Sequence, residues 1–175
     1  MRDSNITIGL LNPKSPTNVG SVMRAAGCFG AGAVLYTGER YDRAAQFNTD
    51  TKAAHRAIPL SGVACLLESR PANAQLVCVE LAEGAIPLTE YRHPDHAFYV
   101  FGPEDGTIGQ ELIDRADAVV YVPTIGCLNL AATVNVVLYD RLAKAAPAIA
   151  HDELIRRSRD TNNRVKVPVP ADGAG

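Results

Sequence analysis

Three short clusters in this 175-residue sequence combine residue types that could do chemistry. The first is Asn12-Pro-Lys-Ser-Pro-Thr-Asn18-Val-Gly20-Ser-Val-Met-Arg24, which follows an apolar run from Ile6 to Leu11. Asn18 is placed to cap a helix running from about Val19 to Phe29, with Val19, Val22, Met23 and Ala26 on its buried face. Ser21, Arg24 and Cys28 then fall on the opposite face. A helix N-terminus joined to an arginine is a good phosphate site, and Gly20 leaves room for a ligand to approach. An ordinary capped surface helix accounts for the same residues.

The second cluster is Tyr99-Val-Phe-Gly102-Pro103-Glu104-Asp105-Gly106. A buried strand ending in Gly-Pro-Glu puts a glycine where backbone can approach a ligand, with a carboxylate just beyond. Ligands of open α/β sheets bind at the carboxyl ends of strands. A turn rich in Gly, Pro and Asp is the plainer explanation. The third cluster is Val122-Pro123-Thr-Ile125-Gly-Cys127-Leu128-Asn129. Here a strand ends in proline, a loop follows, and Asn129 opens a long helix, where an N-cap would explain it fully.

The elements that must position these clusters alternate between strands and helices. That order predicts an α/β domain with a mostly parallel sheet and flanking helices. Strands are expected over Ile6–Leu11, Ala33–Tyr36, Gln75–Leu81, Ala97–Phe101 and Ala118–Val122. Helices are expected over Ser61–Ser69, Gly109–Arg115 and Asn129–Ala145, with Pro147 closing the last. The stretch from Gly38 to Pro59 is polar and mixed, without a clear period. Residues 1–148 read as one domain, and residues 149–175 as a short charged helix (His151–Arg159) and a frayed tail from Val165. In the long helix, Leu130, Val134, Val137, Leu138 and Leu142 make one apolar face, while Ala131, Ala132, Val136 and Tyr139 leave little polar surface elsewhere. A helix apolar nearly all round needs cover on more than one side, which predicts a homodimer using this helix.

Bulk properties narrow the function classes. Hydrophobic residues make up 47% and charged residues 21% of the chain, ordinary values for a globular domain. No apolar run reaches the ~20 residues of a membrane span, and Met1–Asn5 has no apolar signal core, so a cytoplasmic protein is expected. Cys28, Cys65, Cys78 and Cys127 are scattered without a Cys-x-x-Cys pair, against both a zinc site and a disulfide framework. The net charge of −2 advertises no polyanion partner, so any such contact must use local clusters. Lys14, Arg24, Arg40, Arg43, Lys52, His55 and Arg56 form one, and Arg156, Arg157, Arg159, Arg164 and Lys166 another. Gly27-x-x-Gly30-x-Gly32 follows a helix instead of opening one, so the dinucleotide-binding fingerprint is missing.

Taken together and in order, the three clusters resemble the SpoU family of RNA ribose methyltransferases, within the SPOUT superfamily. That family's pattern is Asn-x-Gly-x-x-x-Arg, then Phe-Gly-x-Glu, then Ile-Pro followed by Ser-Leu-Asn. This sequence supplies Asn18-Val-Gly20-Ser-Val-Met-Arg24, Phe101-Gly-Pro-Glu104, and Val122-Pro123 with Cys127-Leu128-Asn129. The resemblance spans roughly residues 6 to 145. Cys127 replaces the serine of the pattern, and the stretch from Val122 to Cys127 is short.

The resemblance implies an α/β fold with a deep trefoil knot in its C-terminal half. It also implies an S-adenosylmethionine (AdoMet) cofactor, a homodimer, and an RNA substrate methylated on a ribose 2′-hydroxyl, tRNA in preference to rRNA. Neither a metal nor a membrane is implied. Leu81, Gly102, Val122, Ile125, Cys127 and Leu128 would line the cofactor site; Asn18, Arg24, Glu104 and Asn129 would form the catalytic cluster. Arg24 is the family's usual candidate for a base. A guanidinium with a pKa above ~12 suits a different role, anchoring the target phosphate and polarising the hydroxyl while Glu104 and Asn18 orient it. A packed thiol suits Cys127 better than a nucleophile. The competing reading within the same fold is a catalytically inactive RNA-binding protein.

Overall fold

A computed structural model describes residues 5–46, 58–145 and 151–167. The chain divides into two compact units, Met1–Ala145 and Ala146–Gly175. The first contains β1 (Ile6–Leu10), α1 (Pro16–Phe29), β2 (Ala33–Tyr36), α2 (Arg40–Ala45), β3 (Leu60–Gly62), β4 (Gln75–Val79), β5 (Ile86–Pro87), β6 (Ala97–Phe101), α3 (Gln110–Asp114), β7 (Ala118–Tyr121) and α4 (Leu130–Ala145). The second contains α5 (His151–Ser158), whose Leu154 and Ile155 are exposed beside Arg156 and Arg157. Lys52, His55, Arg56, Pro147 and the tail from Pro168 lie outside the described residues.

The seven strands form one sheet in the order β3-β2-β1-β6-β4-β7-β5, and every pairing is parallel. All five residues of β6 are buried, as a strand covered on both faces must be. Alternation then sorts the side chains. Ile8, Leu10, Val77, Val79, Tyr99 and Phe101 join a core with Val19, Val22, Met23 and Ala26 of α1 and Leu130, Val134, Val137 and Leu138 of α4. Leu76, Cys78, Phe98 and Val100 face the other way, onto Leu66, Ile108 and the partly buried Leu112 and Ile113. Gly9 is required at the centre of the sheet: a Cβ there would sit 2.9 Å from the Phe98 ring.

Three expectations need correction, and one strand has no counterpart among them. Ser15, not Asn18, caps α1; its hydroxyl accepts from the Asn18 N–H at 3.3 Å, and Pro16 opens the helix. The helix expected over Ser61–Ser69 is instead β3 followed by turns. Val63, Leu66 and Leu67 mimic a helical period, but Leu60–Gly62 pairs with Val34–Tyr36, leaving irregular turns to bury Leu66. The edge strand β5, only two residues long, pairs Ile86 with Val120 and carries no periodic signal. Leu142 leaves the apolar face of α4: it is 41% exposed and joins Val136 (37%) and Tyr139 (63%) on the outer surface.

Candidate active site

The carboxyl ends of β4, β6 and β7 open into a cavity of about 370 Å³, within the size range of small-molecule sites. Val79, Glu80 and Leu81 come from the end of β4, and Phe101 to Glu104 with Gly106 from the end of β6. Tyr121, Val122, Thr124 and Gly126 to Leu128 come from the end of β7, while Asn18, Asn129, Leu130 and Thr133 close it from the two helices. The lining therefore joins apolar residues (Val79, Leu81, Val122, Leu128) with carboxylates and amides.

Glu104 is the hub of the polar lining. Its Oε1 accepts from the Ser15 N–H at 3.1 Å and from Asn18 Nδ2 at 3.0 Å, and its Oε2 accepts from the Lys14 N–H at 3.0 Å. Burial pushes its carboxyl pKa up, but the hydrogen bonds from Asn18 and from the backbone of Lys14, Glu104 and Ser15 outweigh that and hold it below the ordinary glutamate range. The carboxylate also lies against the positive N-terminal end of α1. Its neighbour Asp105 is held down to about 2, first by the Arg40 guanidinium, which donates to both its oxygens at 2.9 Å, and further by Lys14.

The chain of hydrogen bonds continues from Asn18. Its Oδ1 accepts from Asn129 Nδ2 at 2.9 Å, so Glu104, Asn18 and Asn129 form one line along the cavity rim. Asn129 is also the N-cap of α4, its Oδ1 accepting from the N–H groups of Ala131 (2.8 Å) and Ala132 (3.2 Å). Ser15 caps α1, and the Asn18 side chain faces the site, held there by Glu104.

Three of the four expected catalytic residues thus come together. Arg24 does not join them; it stands on the exposed face of α1, outside the cavity, and its side chain makes no hydrogen bond or ion pair among the described residues. Gly20 does leave open space, since a Cβ there would meet nothing within 4 Å. Leu81, Gly102, Val122, Cys127 and Leu128 line the cavity, whereas Ile125 is fully exposed at the tip of its loop and lies outside it. The loop is tightened by the Thr124 hydroxyl, which donates to the Gly126 carbonyl at 2.6 Å. Glu80 was missed by sequence reasoning. A single glutamate after a strand carries no signal until the strand end is seen to face a cavity.

The pattern of the SpoU rRNA Methylase family matches residues 5–139. The chain belongs to the SpoU family. No curated protein matches it in sequence at a significant level. Among solved structures, an rRNA methyltransferase from Sinorhizobium meliloti is 22% identical with a TM-score of 0.67, over 82% of this chain and 58% of that one. The same enzyme is also known with AdoMet bound, over 84% of this chain and 59% of that one, at 22% identity and a TM-score of 0.67. The A. aeolicus TrmH/SpoU tRNA modifying enzyme is 18% identical with a TM-score of 0.66, over 89% of this chain and 86% of that one. A protein described for 2-OH methylation of C/U34 on tRNA is 24% identical with a TM-score of 0.63, over 80% and 95% of the two chains. This SpoU member therefore spans a little under three-fifths of the S. meliloti chain, and these likenesses show a common fold. Among the described residues no helix is long and apolar enough to cross a membrane, and no cluster of His, Cys, Asp and Glu could hold a metal ion.

Proposed function

We propose that this SpoU-family chain is an AdoMet-dependent methyltransferase that methylates a ribose 2′-hydroxyl of RNA, a tRNA in preference to rRNA, and works as a homodimer. The observation that carries the reading is the Glu104–Asn18–Asn129 line of hydrogen bonds on the rim of a cavity at the strand ends. The cavity fits the cofactor chemically. Its apolar lining residues suit a purine, and its two glutamates suit the hydroxyls and positive charges of the rest of the molecule. Gly102 lies directly against Glu80: a Cβ there would stand 3.4 Å from Glu80 Oε2 and from the Ile108 nitrogen. The S. meliloti enzyme of the same fold binds AdoMet.

AdoMet supplies an electrophilic methyl group on a sulfonium, and transfer is an in-line displacement. The protein's task is to align the acceptor oxygen and ease loss of its proton. Glu104 is a poor base, because three donors already hold its carboxylate and its pKa is lowered. Its role is to hold Asn18, whose amide in turn meets Asn129. Arg24, exposed and uncommitted, is available to grip the phosphate beside the target ribose and polarise the hydroxyl, with the proton passing to solvent. Val136, Tyr139 and Leu142 on the outer face of α4 are the apolar surface a second copy would cover. Support for tRNA is the extent of the likeness to two tRNA-directed proteins, over 86% and 95% of their chains. The exposed Arg156, Arg157, Arg164 and Lys166 and the partly exposed Arg159 offer phosphate contacts of their own.

The test is calorimetry with AdoMet followed by transfer of its labelled methyl group to purified tRNA and rRNA, with nucleoside mass spectrometry. A 2′-O-methylnucleoside from tRNA is the expected product. A base-methylated product would overturn the ribose assignment. RNA binding without AdoMet binding would point to an inactive RNA-binding protein.

A further inference from the structure

Glu80 stands at the carboxyl end of β4, lines the cavity, and is used by nothing in the proposed transfer step. Its Oε2 accepts from the Thr107 hydroxyl at 2.9 Å and from the Ile108 N–H at 2.8 Å. Among the described residues its Oε1 accepts only from the Leu81 N–H at 2.9 Å. The 102–108 loop is thereby held at two points: at Glu104 to the start of α1, and at Thr107 and Ile108 to the end of β4. A carboxylate offers about four lone-pair sites, so this cavity-lining residue keeps acceptor capacity on Oε1. Two further facts favour a sugar as its ligand. The apolar residues Val79 and Leu81 flank Glu80 on the same strand end, which suits a base beside it. An acidic side chain at the carboxyl end of a parallel strand is also the arrangement by which dinucleotide folds hold a ribose hydroxyl.

We propose that Glu80 is the nucleoside-recognition residue of this cavity, accepting from the ribose hydroxyls of the bound ligand while pinning the 102–108 loop. This rests on the AdoMet reading above. The ligand class is an adenine ribonucleoside carrying a 5′-thioether or sulfonium, and the recognised feature is common to AdoMet and its demethylated product. It follows that Glu80 contributes equally to the affinity of both, and that it discriminates ribose from deoxyribose.

Calorimetry on the full chain tests this, comparing wild type with Glu80→Gln, Glu80→Asp and Thr107→Val. Glu80→Gln keeps one acceptor oxygen for Thr107 and Ile108 and deprives only the solvent-exposed Leu81 N–H, which water can satisfy, so the thermal midpoint should hold within about 2 °C. Affinities for AdoMet and S-adenosylhomocysteine should both fall at least tenfold. Glu80→Asp should do the same, because the shorter side chain withdraws the acceptor. Thr107→Val should change either affinity less than threefold. In wild type, 2′-deoxyadenosine should displace S-adenosylhomocysteine at least tenfold less well than adenosine, and Glu80→Gln should erase that difference. A loss confined to AdoMet would overturn the proposal in favour of sulfonium recognition. Unchanged affinities, equal competition by the two nucleosides in wild type, or a Thr107→Val loss equal to that of Glu80→Gln would also overturn it. If wild type binds neither AdoMet nor S-adenosylhomocysteine, the cofactor assignment itself fails.

Discussion

Asn129 does two jobs that a pair of substitutions can separate. Its Oδ1 caps α4 through the Ala131 and Ala132 N–H groups, and its Nδ2 reaches Asn18 at 2.9 Å. Asn129→Ala removes both. Loss of an N-cap side chain costs about 1 kcal/mol, and α4 contributes the buried Leu130, Val134, Val137 and Leu138, so the cost falls on the whole unit. At this chain length that is a drop of about 3 °C in thermal midpoint. Asn129→Ser keeps a capping oxygen, so it should lose only a few tenths of a kcal/mol, but it cannot span to Asn18. Both variants should therefore lose about 100-fold in single-turnover methyl transfer, the scale set by a misplaced positioning group. The assay pairs differential scanning calorimetry with transfer of labelled methyl to tRNA. A serine variant with wild-type turnover would refute the reasoning and leave Asn129 as a cap alone.

Three further outcomes follow from the same geometry. Glu104→Gln should lower stability by roughly 1–3 kcal/mol at neutral pH, because an amide cannot accept from three donors at once. Since the folded pKa of Glu104 is lowered, its contribution is present above the ordinary glutamate value of about 4.3 and fades as pH falls through the lower folded one. Melting curves of wild type and variant should accordingly converge in acid, and a constant gap down to pH 2 would contradict this. Gly9→Ala should cost about 1–3 kcal/mol, because its Cβ would meet Phe98 at 2.9 Å and Val100 at 3.1 Å in a filled core; urea titration should show a lower midpoint with an unchanged slope. Arg24→Lys should reduce methyl transfer at least tenfold through loss of bidentate phosphate contact, while AdoMet affinity stays within twofold, since Arg24 lies outside the cavity. Near-normal turnover of that variant would rule out the phosphate-gripping role.

Much of this was legible in the chain itself, for a local reason. β1, β2, β4, β6 and β7 announce themselves as short apolar runs bounded by Gly, Pro and polar residues, and α1 and α4 by helical spacing of Val, Met and Leu. Such signals need only neighbours along the chain. β3 and β5 were not legible, because three and two residues are too few to show a period and their extended form comes from a partner strand. The cap of α1 was misassigned because Ser15 and Asn18 are equally able to cap. Glu104, distant in sequence, draws the Asn18 amide away to itself and leaves the cap to Ser15.

The sequence by itself thus determined which residue types are present at each strand end and that an α/β sheet would carry them. Only the tertiary structure decided that β6 lies between β1 and β4, with β7 beyond. That order sets Glu104 against the start of α1, and the packing of α4 beside α1 closes the link from Asn18 to Asn129 across 111 positions. It also turns Glu80 into a cavity residue and leaves Arg24 and Ile125 outside. The reason is physical. A buried apolar strand is satisfied by any parallel neighbour that completes its hydrogen bonds, so strand order is settled by how the whole set of faces and connections can be buried at once.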